Sequence, residues 1–265
     1  MLFGKPKCLI GVVHVLPLPG SPGWSGAMAD VVGRALDDAS ALERAGFDAV
    51  IVENFGDAPF SRGFAGRGAV AGLGAVAARV ADRVRIPVGV NVLRSDAESA
   101  VAVAAAAGGA FIRVNVHVGA AVTDQGIVQG GAFRTMRAIR DMVPGLLVLA
   151  DVLVKHAQPL GETDPARIAK DTVERGLAHA LIVTGEATGS PAALTRVAAV
   201  RAAVPGVAVL VGSGVTAETV RAVLDACDGV IVGSAVMRGG RAGGPVEPER
   251  ARTLVERARS GRSGC

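Results

Sequence analysis

The chain has 265 residues, of which 50% are hydrophobic, 3% are aromatic and 20% are charged, and its formal net charge is +4. A mildly basic balance without a block of basic residues, and with few aromatic side chains to stack on bases, argues against a nucleic-acid partner. The three cysteines, Cys8, Cys227 and Cys265, are too widely spaced for a disulfide framework or a CxxC metal-binding pattern, so we expect a reducing cytoplasmic location. We assign no metal ligands, although Asp151, His117 and Glu53 leave a metal open.

Short apolar runs rich in β-branched residues alternate eight times with longer, Ala-rich segments. This alternation predicts right-handed βαβ units, and eight units in this length predict an α/β fold, a (β/α)8 TIM barrel forming one domain over residues 1–265. An open doubly wound sheet is the alternative, but it favours a glycine fingerprint after strand one, where this chain has "LPLPGSPGWSG". The predicted strands are 8–15, 48–54, 87–93, 110–118, 146–154, 179–185, 207–214 and 228–234.

The first predicted strand ends at His14, and the stretch before it carries no small-residue cleavage site of a secretory signal. No apolar run reaches 18 residues without a polar or turn residue, so we predict no integral membrane segment. The first helix is predicted over 30–46, with Asp30 as its N-cap and Gly46 as its stop.

Polar residues close the second and third predicted strands. Glu53 and Asn54 end strand two, and Asn91 lies late in strand three. In a TIM barrel these carboxyl ends of the strands form the mouth where the active site lies. We therefore expect these three side chains, together with His14, to lie close to one another.

Strand four alternates two kinds of side chain. Arg113, Asn115 and His117 share one face with Phe111, and the apolar Ile112 lies on the other face. Polar groups buried in a barrel need partners, because each unpaired one costs about 1–3 kcal/mol. The strand therefore predicts either a structural polar network or part of an active site.

Strand five runs into Asp151, Lys155 and His156, and strand six ends in Thr184. Adjacent strands lie about 4.8 Å apart, so we predict that the imidazole at the end of strand four, His117, hydrogen-bonds to Asp151. Such a pair would tune the histidine for proton transfer near neutral pH.

The last two predicted strands both end in Gly-Ser. In barrels these two loops often form a phosphate site, because glycine lets backbone N–H groups approach an anion and serine adds a hydroxyl donor. The alternative is that Gly-Ser only makes a good turn. The predicted phosphate-binding residues are Gly212, Ser213, Gly214, Gly233 and Ser234.

Nine stretches spread along the chain resemble the BtpA family, which is grouped with the ribulose-phosphate-binding barrels. The resemblance implies the barrel and the phosphate site. It implies no single chemistry, since the founding member is associated with photosystem I biogenesis whereas SgcQ-type members look like sugar-metabolism enzymes. The matching stretches are "HVLPLPGSP" (14–22), "VENFGDAPF" (52–60), "GVNVLRSD" (89–96), "FIRVNV" (111–116), "TDQG" (123–126), "ADVLVKHAQPL" (150–160), "VTGEATG" (183–189), "VGSGVT" (211–216) and "IVGSAV" (231–236).

Together these residues predict an acid–base enzyme that acts on a phosphorylated sugar or a nucleotide-like phosphate, as an isomerase, lyase or glycosyl-transfer enzyme. The predicted catalytic residues are Glu53, His117 and Asp151 for proton transfer, and Lys155 as a Schiff-base former or a stabiliser of an oxyanion. The alternative is a non-catalytic assembly factor in membrane-complex biogenesis. We expect no cofactor, and the sequence leaves a homo-oligomer open. The predicted substrate-binding residues are His14, Asn54, Asn91, Arg113, Asn115, His156 and Thr184.

Overall fold

The structure, a computed structural model, describes residues 1–154, 156–184 and 191–260, the side chains of residues 191–193 excepted. Within these residues the strands are β1 (Cys8–His14), β2 (Ala49–Glu53), β3 (Val88–Asn91), β4 (Phe111–Val114), β5 (Ala120–Thr123), β6 (Gly126–Gln129), β7 (Leu147–Val152), β8 (Ala157–Leu160), β9 (Ala180–Thr184), β10 (Ala208–Gly212) and β11 (Gly229–Val232). The α-helices are α1 (Met28–Ala45), α2 (Arg67–Arg83), α3 (Ala97–Ala107), α4 (Ala132–Met142), α5 (Pro165–Lys170), α6 (Pro191–Ala203), α7 (Val220–Ala226) and α8 (Pro248–Arg259).

Eight of these strands form a closed parallel barrel in the order β1-β11-β10-β9-β7-β4-β3-β2. The α-helices alternate with the barrel strands along the chain. The predicted TIM barrel is therefore confirmed, and each of the eight apolar runs contains one barrel strand. A parallel sheet covered by helices buries both faces of its strands, which is why the runs are almost continuously apolar.

Side chains on each strand alternate between the barrel interior and the layer under the helices. The interior holds a compact apolar cluster that includes Ile10, Ile51, Phe111 and Ile182. Gly89 makes this packing feasible, since a Cβ there would overlap the Phe111 ring. The larger cluster lies between the strands and the helices. The interior positions nearest the mouth come next in this alternation, and they are the polar residues of the site.

A small antiparallel sheet, in the order β6-β5-β8, lies outside the barrel and was not predicted. It arises because β4 ends at Val114, four residues before the predicted end of strand four, and the chain continues into a hairpin. The hairpin turn contains Gly126, whose φ of 99° favours glycine, and Thr123 accepts the Gln125 N–H through its hydroxyl. This sheet forms one wall of a cavity beside the mouth.

The ends of α1 test the predicted helix boundaries. The predicted stop at Gly46 is confirmed, with φ at 97° and its N–H bonded to Glu43. The prediction that Asp30 caps the helix is wrong, because α1 starts at Met28 with Ala27 at the cap position. Asp30 lies in the first turn instead, where a carboxylate still interacts favourably with the helix dipole.

Candidate functional site

The interior positions at the mouth are polar on six strands and glycine on the other two. Strand register aligns several of them, since His14 pairs with Glu53, Glu53 with Asn91, and Thr184 with Gly212. Asp151 lies two residues beyond Leu149, which is the register partner of Arg113. The full set, from β1 around the chain, is His14, Glu53, Asn91, Arg113, Asp151, Thr184, Gly212 and, directly after β11, Gly233.

Glu53 is the centre of one half of the site. It is 6% exposed, its Oε2 accepts a hydrogen bond of 2.5 Å from Asn91 Nδ2, and its Oε1 lies 3.5 Å from His14 Nε2. Burial alone would raise the pKa of Glu53, but the interaction with His14, the charge of Arg113 and the bond from Asn91 outweigh it and lower the pKa. Glu53 is thus an ionised carboxylate near neutral pH.

The imidazole of His14 is fixed on its far side. The Gly243 N–H donates to His14 Nδ1 at 3.0 Å, so Nδ1 holds the lone pair and Nε2 carries the proton that faces Glu53. Phe55 stacks on the ring, with the centroids 4.2 Å apart. The sequence analysis predicted neither the Gly243 bond nor the Phe55 stacking. The sequence feature that could have pointed to Phe55 is its place in the stretch "ENFGD", directly after Glu53 and Asn54.

Asp151 is the centre of the other half. Arg113 donates to both of its oxygens, from Nε to Oδ2 and from Nη2 to Oδ1, at 3.1 Å each, and Asn115 Nδ2 donates to Oδ2 at 2.9 Å. Burial raises the pKa of Asp151, and the Arg113 charge offsets this only in part. The pKa of Arg113 itself is raised, since the charges of Asp151 and Glu53 outweigh its burial.

Two amide oxygens in this network have no hydrogen-bond partner within the described residues. They are Oδ1 of Asn91, beside Glu53, and Oδ1 of Asn115, beside Asp151, and both side chains are at least nine-tenths buried. Buried acceptors are normally satisfied. In each amide the nitrogen holds a carboxylate and the oxygen is left as an acceptor, and Asn115 also lines a cavity from which a bound hydroxyl or N–H could donate to it.

The predicted hydrogen bond between His117 and Asp151 is wrong. The strand ends at Val114, so His117 no longer follows the inward alternation, and its Nε2 lies 2.7 Å from the Gly176 carbonyl. Burial lowers the pKa of His117, which keeps the ring neutral. Asp151 instead accepts hydrogen bonds from Arg113 and Asn115, two of the predicted substrate-binding residues.

Three other predicted residues have structural contacts or lie apart from the mouth. Asn54 braces the loop after β3, since its Oδ1 accepts the Leu93 N–H at 2.7 Å. Thr184 donates to the Leu153 carbonyl at 3.0 Å. His156 is exposed in the loop after β7. Lys155, a predicted catalytic residue, lies outside the described residues.

The two Gly-Ser pairs lie at the ends of neighbouring barrel strands, since Gly212 is the last residue of β10 and Gly233 directly follows β11. Ser213 and Gly214 have φ angles of 72° and 69°, a conformation that only glycine adopts freely. Ser234 opens a short 3-10 turn, and Gly233 faces His14, whose Cε1 would lie 3.5 Å from a Cβ there. Gly212 has a packing role, because a Cβ would approach Ile182 Cγ2 to 2.7 Å.

A cavity of about 290 Å³ opens beside Asp151 and Asn115. Its other walls come from the three-stranded sheet and from α5, and include Val118, Ala121 and Ile168. No sequence pattern predicted this cavity. The turn sequence Asp-Gln-Gly at 124–126, between two short runs with valine or isoleucine, was the available signal for the hairpin that builds it.

Within the described residues, no group of three His, Cys, Asp or Glu side chains is arranged to hold a metal ion. The described helices include none long and apolar enough to cross a membrane.

Comparisons with known proteins identify relatives of the whole chain. The chain is 42% identical over 254 residues to the photosystem I biogenesis protein BtpA of Synechocystis, covering 96% of this chain and 88% of that protein. It is 46% identical to an uncharacterised protein of Thermococcus kodakarensis, at 96% and 95% coverage. It is 29% identical to the putative sgc region protein SgcQ of Escherichia coli, at 97% and 96% coverage.

Solved structures share the fold at low sequence identity. The phosphoribosylanthranilate isomerase of Pyrococcus furiosus superposes with a TM-score of 0.59 at 16% identity, covering 95% of this chain and 98% of that one. A structure described as native KDPGal superposes with a TM-score of 0.58 at 21% identity, at 95% and 94% coverage. The model of the BtpA family matches residues 5–260, and together with the 42% identical relative it shows that this chain belongs to the BtpA family.

Proposed function

We propose that this chain is an enzyme that transfers protons on a phosphorylated sugar or a nucleotide-like phosphate bound at the barrel mouth. The observation that carries the proposal is the pair of buried carboxylates, each held by an asparagine whose carbonyl oxygen has no partner among the described residues. A fold needs no such pairs for stability, since buried acceptors without partners cost free energy.

The two carboxylates are suited to opposite steps of proton transfer. Asn91 and His14 favour the ionised form of Glu53, which makes it the base. Burial raises the pKa of Asp151 although Arg113 pairs with its ionised form, so of the two carboxylates Asp151 takes up a proton more readily and is the candidate acid. Environments that separate two pKa values in this way are typical of acid–base pairs. Isomerisation, retro-aldol cleavage and glycosyl transfer can each use such a pair.

The Gly-Ser loops after β10 and β11 would bind the phosphate. Phosphate sites at these two loops are common in TIM barrels, and Gly233 leaves space beside His14. One protein of similar fold has a name that refers to a phosphoribosyl compound, which is compatible with this assignment. Lys155 would stabilise negative charge developing on the substrate.

Calorimetric titration with ribose 5-phosphate and inorganic phosphate tests the phosphate site. We expect binding to the wild type and a loss of at least about tenfold in affinity for Gly233→Val, which adds branched bulk to the loop. Gly33→Val is the matched control, since a Cβ at Gly33 meets nothing within 4 Å. Equal affinity in wild type and a folded Gly233→Val would overturn the assignment of these loops.

A non-catalytic role in assembly is the second candidate, and the 42% identity to a photosystem I biogenesis protein favours it. A thermal-shift screen of phosphosugars and nucleotides separates the two candidates. An enzyme should give a stabilising hit that is turned over by the wild type but not by Glu53→Gln. An assembly factor should give neither a hit nor turnover.

A further inference from the structure

The cavity beside Asp151 has two chemically different parts. Its inner end is formed by Asp151 and Asn115, and the amide oxygen of Asn115 has no partner within the described residues. Its side walls include the apolar residues Val116, Val118 and Ile168, and the charged residues Glu162, Asp171 and Arg175 also line the cavity. The cavity can therefore enclose an apolar, compact group that presents a hydrogen-bond donor at its inner end.

The strand order gives the distance around the mouth between the cavity and the Gly-Ser loops. It adjoins the ends of β4 and β7, whereas the loops follow β10 and β11, and β9 lies between β7 and β10. From the midpoint between β4 and β7 to the midpoint between β10 and β11 there are three inter-strand steps of about 4.8 Å. The cavity and the loops are therefore roughly 14 Å apart along the barrel wall, and less across the mouth. The carboxylate of Asp151 borders the cavity, and Glu53 lies on β2 across the mouth.

A plain sugar phosphate would occupy the loops and the centre of the mouth, and it would leave the cavity without a ligand group. A molecule in which a phosphate, a sugar and a ring are linked in that order is long enough to extend from the Gly-Ser loops into the cavity. The apolar walls would contact the faces of the ring, and a ring N–H would donate to Asn115 Oδ1.

We propose that the cavity binds a nitrogen-containing ring carried by the substrate, so that the substrate is a nucleotide-like glycosyl phosphate. This inference rests on the proposed function, since it takes the Gly-Ser loops as the phosphate site. It adds the chemical class of the group attached to the sugar, and it places the bond between sugar and ring beside Asp151.

Titrations with ribose 5-phosphate and with the four common nucleoside 5′-monophosphates test this assignment. We expect at least one nucleotide to bind the wild type about tenfold or more tightly than ribose 5-phosphate, because its ring becomes buried. Ala120→Phe fills the cavity from β5 and should bring the two affinities together without weakening ribose 5-phosphate. Gln158→Phe, an exposed position on β8 outside the cavity lining, is the matched control and should change neither affinity.

Circular dichroism checks that Ala120→Phe folds, and Ile168→Ala carries the test if it does not. Ile168→Ala removes an apolar wall and should weaken the nucleotide several-fold while leaving ribose 5-phosphate unchanged. Equal binding of the sugar phosphate and every nucleotide by the wild type would overturn the ring site and leave the proposed function standing. Absence of binding by both classes would overturn the proposed function as well.

Discussion

Replacing Asp151 with asparagine tests the ion pair that links the two halves of the site. The Arg113 side chain is 13% exposed and that of Asp151 is fully buried, so the substitution leaves a largely buried guanidinium without its bidentate partner. Two unit charges 4 Å apart interact by about 4 kcal/mol at an effective dielectric constant of 20. Breaking a buried pair from one side costs about 3–5 kcal/mol. The nearby charge of Glu53 compensates Arg113 in part, so we expect a loss of about 3 kcal/mol.

Urea unfolding at pH 7, followed by circular dichroism, measures this loss. Arg113→Gln combined with Asp151→Asn removes both charges and should recover at least half of the lost stability. Glu98→Gln is the matched control, because it breaks an exposed pair with Arg134 and should cost less than about 1 kcal/mol. A loss below about 1 kcal/mol for Asp151→Asn, or a double variant no more stable than the single one, would refute the buried ion pair.

Three further predictions follow from the site and its surroundings. Glu53→Gln and Lys155→Ala should each lower turnover of the phosphate ester found by screening by about 10²–10⁴-fold, and wild-type turnover in both would place the chemistry elsewhere. Gly212→Ala should destabilise the barrel by about 1–3 kcal/mol, because its Cβ would lie 2.7 Å from a side chain of β9. Gly74→Ala is the control and should stabilise α2 by about 0.5–1 kcal/mol, because a Cβ at Gly74 meets nothing within 4 Å. Equal urea midpoints for the two variants would contradict this prediction. Burial lowers the pKa of His117, so below about pH 6.5 the unfolded chain takes up a proton that the folded chain does not, and stability should fall by about 1 kcal/mol between pH 6.5 and 5. His117→Gln keeps a donor and should flatten that fall in urea titrations, and parallel pH curves for the two proteins would show that His117 is not the group responsible.

Much of the architecture is local information and was predictable from the sequence. Apolar runs that recur with helical segments between them predict parallel strands, and the structure has a barrel strand within each run. The period-two alternation of side chains also predicts which residues face the interior. Glu53 was predicted at the mouth because it ends one such run, and Asp151 because it lies late in another, and the structure places both among the interior residues there.

The partners of these residues depended on tertiary structure. Asp151 pairs with Arg113 because β4 and β7 are neighbours, and the long Arg113 side chain reaches past its register partner Leu149 to the carboxylate two residues further along β7. His117 was predicted for that place, but the chain leaves the strand after Val114 to begin the hairpin. The end of a strand is decided by which segments pair across the sheet, and this information is not contained in the run itself.

The cavity is the clearest case of a feature that only the tertiary structure decided. Its walls come from β5, β8 and α5, which are separated in the chain and brought together by antiparallel pairing between residues 120–123 and 157–160. None of these segments has a distinctive composition. Local sequence patterns determined that the chain makes a barrel with a polar mouth, because strand alternation is a short-range property. The long-range pairing of segments decided which groups meet there and what shape of molecule they can enclose, because those contacts exist only once the chain has closed.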